Sequence, residues 1–119
     1  MQYEENKMAT PHLHSGEVSN LLVPEGQLLA VPAHALFKDE HLEVIRMNLA
    51  QGKSLPSHHV HGPLTIQCLS GEVQVELQAG TKTMRAGDLL YLAAGLPHAV
   101  LAISNTSFLV TIVLLKAVA

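Results

Sequence analysis

An all-β domain of antiparallel sheets is the fold this sequence predicts, and three observations predict it. Past residue 40, apolar residues recur with period two in short runs. Gly, Pro, Asn or Asp separates these runs every eight to twelve residues. No stretch in that region carries the three-and-four spacing of an amphipathic helix. Short strands so spaced close as a sandwich or a barrel. At 119 residues the chain is one domain, long enough to bury a core without disulfides or a structural metal.

Residues 1–16 show no periodicity and read as a mobile lead-in, leaving 17–119 as the folded domain. His12 and His14 fall in that lead-in and read as solvated. Runs at 20–23 and 27–31 end at Pro24-Glu25-Gly26 and at Pro32. Residues 34–37 either continue the second run or form an edge. A clearer strand follows at 42–49, its alternation faltering at Val44 and Ile45, and it closes at Gln51-Gly52.

Next comes GKSLPSHHVHGPLTIQCLSG, residues 52–71, around which the chain is organised. Three of the eight histidines stand here, at His58, His59 and His61, just ahead of an alternating run at 64–69 that Ser70-Gly71 turns back. Beyond it Val73, Val75 and Leu77 alternate with Gln74 and Glu76. Ala79-Gly80 leads to a strand at 82–85, and Ala86-Gly87-Asp88 to one at 89–92. Gly95-Leu96-Pro97 leads to one at 98–103, and Asn105-Thr106 to one at 108–115.

Composition narrows the partners. The chain is 48% hydrophobic and only 14% charged, against about a quarter charged in an ordinary soluble domain. So few charges predict an apolar patch covered by self-association, a homodimer in which residues 18–37 cross to the partner. A net charge of −3 with seven Lys and Arg leaves no basic footprint for nucleic acid or an anionic membrane. Cys68 stands alone, which excludes an internal disulfide and favours a reducing compartment. The acidic start, MQYEENK, is unlike a secretory signal, and the longest apolar run, 108–115, is too short to span a bilayer as a helix. A cytoplasmic protein is the expectation.

In the stretch 87–102, Gly87, Gly95 and His98 keep fixed intervals, with Ala93 before Gly95 and Ala102 after His98. That is the spacing of the second motif of the cupin superfamily, where proline and asparagine occupy the two alanine positions. Residues 40–115 thus resemble the small double-sheet jelly-roll barrels of that superfamily. The resemblance implies a double-stranded β-helix of the RmlC-like cupin kind, with motifs at 52–71 and 87–102.

The first cupin motif, a His-x-His pair and a glutamate between two glycines, is where the chain departs. Counted from Gly52, its first histidine is His58, its second position is Val60, its glutamate position is Leu64, and Gly71 closes it. Sliding by one restores a pair, His59 and His61, but breaks the spacing on both sides and still offers no glutamate. An eroded first motif of this sort is similar to that of small, functionally uncharacterised cupins.

Alternation favours the unslipped register. Leu64, Ile66 and Cys68 are the inward set, and stepping back by twos reaches Val60 and His58, leaving His59 and His61 outside. A bulge at Gly62-Pro63 would reverse this. Unslipped, the residues predict a mostly apolar pocket lined by His58, Val60, Leu64, Ile66, Cys68 and His98, the make-up of a small-molecule site. An imidazole there could act as a general base near neutral pH, though no partner for it is visible. A metal held by His58 with His98 would need a third donor, from Cys68, His34 or His41. Slipped, His59, His61 and His98 form a three-imidazole site suited to zinc, iron, nickel, copper or cobalt. The sequence therefore reads as a cupin that binds a small molecule, with no cofactor and no catalytic residue assigned. Its alternative is a metal-dependent oxygenase or isomerase.

Overall fold

The computed structural model describes residues 12–22 and 33–115. Among them are nine strands and no helix, and every strand pair is antiparallel. The strands are β1 (Ala33–Lys38), β2 (Leu42–Leu49), β3 (Ser54–His58), β4 (Leu64–Ser70), β5 (Glu72–Leu77), β6 (Gly80–Arg85), β7 (Leu89–Leu92), β8 (His98–Ala102) and β9 (Thr106–Val113). Five form one sheet in the order β1-β2-β9-β4-β7, and four form the other in the order β3-β8-β5-β6. From β2 onward the chain changes sheet at each step except the β5–β6 hairpin. That is the winding of a jelly roll.

Period-two patterning builds this arrangement directly. Leu64, Ile66 and Cys68 of β4 face Val73 and Val75 of β5, Val100 and Ala102 of β8, and Phe108 of β9 in one core. Cys68, Val73 and Val75 are wholly enclosed. Each buried aliphatic side chain of this size contributes about 1.5–3 kcal/mol relative to exposure. Strand β2 is covered on both faces. Ile45 and Met47 line the barrel interior, while Val44, Arg46 and Asn48 are buried on the opposite side. Its uneven alternation records that double burial.

Three features differ from the sequence expectation. Strand β3 is unforeseen because SLPSH carries no apolar alternation and holds Pro56. It lies at the edge of its sheet, with its register shifted between Leu55 and His58, where a proline is tolerated. Strand β9 begins at Thr106 and ends at Val113, two residues earlier than its apolar run. Its polar start is buried because Thr106 Oγ1 donates to the Ser70 carbonyl at 2.7 Å. Residues 20–22 form no strand. Instead the Leu22 N–H turns onto Asn20 Oδ1 at 2.8 Å. The run at 27–31 lies outside the described residues, as do 1–11 of the expected lead-in. Leu13 is tied to β1, its N–H donating to the Leu36 carbonyl at 2.7 Å. Strand β1 itself pairs with β2 of the same chain.

Two glycines fix how the strands close on one another. Gly71 has φ +79, and a Cβ there would also meet the Asn105 backbone. Gly62 has an ordinary φ, but a Cβ there would run into the Val113 carbonyl. No helix of the described residues is long and apolar enough to cross a membrane.

Candidate functional site

The site grows from one cross-strand pair. Strands β3 and β8 are neighbours, and His58 is the direct partner of His98. Directly opposed residues on antiparallel strands present their side chains to the same face. The two rings lie with centroids 4.4 Å apart, tilted by 55°. A second tie holds the motif segments together: the Gly95 N–H, in the turn before β8, donates to the Val60 carbonyl at 3.0 Å.

Both imidazoles are oriented by carbonyls two residues upstream. His98 Nδ1 lies 3.1 Å from the Leu96 oxygen, and His58 Nδ1 makes a longer contact of 3.4 Å to the Pro56 oxygen. A carbonyl only accepts, so each Nδ1 is the donor in its contact, which in a neutral ring leaves Nε2 as the acceptor. His98 is 4% exposed, whereas His58 stands exposed at the mouth. Burial pushes the His98 imidazole below its ordinary 6.5; its contact with Leu96 opposes this, and the neighbouring His58 adds to it.

Beneath the pair lies a cavity of about 90 Å³. Val60, Leu64 and Ile66 line it, joined by Ile45 and Met47 from β2, with Phe108 as an end wall. The enclosed volume is smaller than the ~150 Å³ cavity that takes up benzene in an engineered protein core. A space of that size holds only a few heavy atoms.

The structure thus brings His58, Val60, Leu64, Ile66 and His98 around one space, and leaves Cys68 out of it. Cys68 lies deeper along β4, opposite Phe108, with its thiol 3.5 Å from the Ser70 carbonyl and 3.6 Å from that of Gly71. Burial pushes that thiol up, the reverse of what a metal-binding thiolate requires. The inward set of β4 runs past the cavity into the filled end of the barrel, which is why alternation alone assigned Cys68 to the lining. Sequence reasoning missed Ile45 and Met47 of β2, Leu55 of β3, and the lining from β8 and β9, Val100, Phe108, Val110 and Ile112. The faltering pattern of β2 was the available signal for the first two.

His59 and His61 line a separate groove of about 310 Å³ with Glu43 and residues 112–115. The set His59, His61 and His98 is therefore not assembled. Between residues 59 and 63 the chain leaves one sheet for the other, and Gly62 packs on the Val113 backbone instead of forming the bulge that would turn those side chains inward. His34 sits on β1 opposite Arg46, and His41 lies exposed beside Glu40, so neither supplies a third donor. Among the described residues, no three His, Cys, Asp or Glu side chains come together as a metal site. With Val60 and Leu64 in two of the four cupin ligand positions, this donor set does not fit a resident cupin metal. Two imidazoles remain.

Two antiparallel sheets wound as a jelly roll around a small pocket define a β-barrel of the cupin type. The family model for the cupin domain matches residues 45–114, and the chain belongs to that family. Its structure is similar to that of a protein of unknown function from Streptococcus pyogenes, with a TM-score of 0.70 and 22% identity over 92% of this chain and 99% of that one. An RmlC-like cupin protein from Desulfovibrio desulfuricans is similar at a TM-score of 0.65 and 23% identity, over 86% of this chain and 97% of the other. Oxalate decarboxylase from Bacillus subtilis, a protein with Mn(II) centres, is similar at a TM-score of 0.58 and 25% identity, over 62% of this chain and 21% of that one. No curated protein matches the chain.

Proposed function

We propose that this cupin binds a small, mostly apolar molecule through His58 and His98, without a resident metal. The observation that carries the reading is the pair itself: two cross-strand imidazoles whose Nδ1 atoms are held by carbonyls at the opening of an apolar cavity. Each Nε2 accepts a hydrogen bond, so the ligand should offer a hydroxyl or amine donor to them and an apolar end to Ile66 and Phe108. Catalysis is not part of the proposal. A general base needs a partner that aligns it and a substrate proton in reach, and only carbonyls hold these rings.

The test pairs ligand screening with metal analysis of untagged protein. Small hydroxylated and amine-bearing compounds are titrated while the imidazole NMR signals are followed. Productive ligands are expected to move His58 and His98 together, and His98→Ala should abolish their binding. Stoichiometric metal retained by the wild type and lost in His98→Ala would defeat the reading in favour of a metal centre. Ligands that bind the variant as well as the wild type would defeat it too.

A further inference from the structure

The face of the five-stranded sheet turned away from the cavity holds a buried cation with no counter-charge among the described residues. Arg46 is 5% exposed. It alternates with Ile45 and Met47, which line the cavity, so its side chain lies on the outer face. Its Nε donates to Ser107 Oγ at 2.9 Å, and Ser107 is wholly enclosed. That bond leaves the four Nη hydrogens. No acceptor takes them among the described residues, whose ion pairs are His14–Glu17, His41–Glu40 and Arg85–Glu72.

Among the described residues the neighbourhood adds more donors and no ion-paired acid. His34 of β1 is the direct cross-strand partner of Arg46. Its Nδ1 is buried and unpartnered among the described residues. Burial disfavours the protonated form of His34, and the charges of Arg46 and His12 add to this. A guanidinium cannot escape by deprotonating, and leaving a buried charge unpaired is strongly unfavourable. Its planar fork matches a carboxylate or phosphate edge to edge.

We infer that this outer face is an oxyanion site, in which the Nη edge of Arg46 makes paired hydrogen bonds and His34 Nδ1–H supplies another. The anion is a carboxylate or phosphate, arriving either free in solution or as an acidic side chain of a second copy of this chain. The site is on the opposite side of the sheet from the His58–His98 cavity and stands or falls independently of it.

Calorimetric titration with inorganic phosphate and with malonate, at ionic strength matched with chloride, tests the free-anion source. Saturable binding to the wild type is expected. Arg46→Lys keeps a charge but loses the fork, and should weaken binding about tenfold or more. Arg46→Met should abolish binding while unfolding no earlier than the wild type in anion-free buffer. Ser107→Ala removes only the hydroxyl that aims the guanidinium, and should weaken binding while leaving the fold intact. Sedimentation covers the second source: a dimer that phosphate dissociates, and that Arg46→Met converts to monomer, places the acid on the partner copy. If phosphate and malonate bind the Arg46→Met protein undiminished, the inference is overturned. It is equally overturned if the wild type shows neither saturable anion binding nor an Arg46-dependent dimer.

Discussion

At the scale of single residues, burial decides what each titratable group can do. His98 is held below its ordinary 6.5 chiefly by desolvation, so the native state resists its protonation while the unfolded chain does not. The unfolded state then binds more protons as pH falls through about 6.5, and stability must drop with it. Above that range the contribution is fully retained. Denaturant midpoints between pH 8 and 5 should therefore decline on the acid side, and less steeply in His98→Leu; equal slopes would remove His98 from the account. His34 is lowered in the same direction and supplies part of what persists. Cys68 makes the opposite case, since burial raises its thiol and closes off solvent. Iodoacetamide should label it only as fast as the barrel opens, with prompt labelling in denaturant. Rapid labelling of the native protein would mean that the filled end of the barrel is open.

At the scale of elements, β4 and β5 were legible because each buries one face only and period two survives there, while the turn glycines marked β6 to β8. Strand β3 was not legible. An edge strand with Pro56 and exposed polar residues has no apolar face to announce it. This matters for the site, because stepping back by twos from Leu64 treats residues 58–69 as one strand. The chain in fact breaks at 59–63 and changes sheet. His58 faces the cavity through its pairing with His98 on β8, a long-range contact that no local spacing contains. The crossing depends on Gly62, whose missing Cβ lets the chain pass against the Val113 carbonyl. The two nearest atoms, both of Val113, are backbone, which cannot move aside as a side chain would. Gly62→Ala should cost about 1–3 kcal/mol or more. It should also shift the His58 signals in NMR spectra, since the same segment carries Val60 and its bond to Gly95. An unchanged unfolding midpoint would show that the crossing has room to spare.

At the scale of the whole molecule, two expectations follow from a small barrel with few charges. The first is self-association. Leu89 and Tyr91 are each about two-thirds exposed on β7, which is the free edge of its sheet. Apolar side chains on an unpaired edge favour covering by another chain. Light scattering should return twice the 12.8 kDa chain mass at micromolar concentration, and a clean monomer would end that expectation. The second is that cavity and core are one structure, because Phe108 belongs to both. It is 1% exposed, pairs with Cys68 on the core side and lines the pocket on the other. Phe108→Ala should cost about 3–5 kcal/mol, through lost burial and the void left behind. Because both sheets share that core, the loss should appear in one cooperative transition. The void adjoins the existing 90 Å³, so the variant should take up benzene and regain part of its unfolding temperature, while the wild type shows no response. A variant that is destabilised but indifferent to benzene would mean that neighbouring side chains collapse into the gap and that the pocket is walled off from the core.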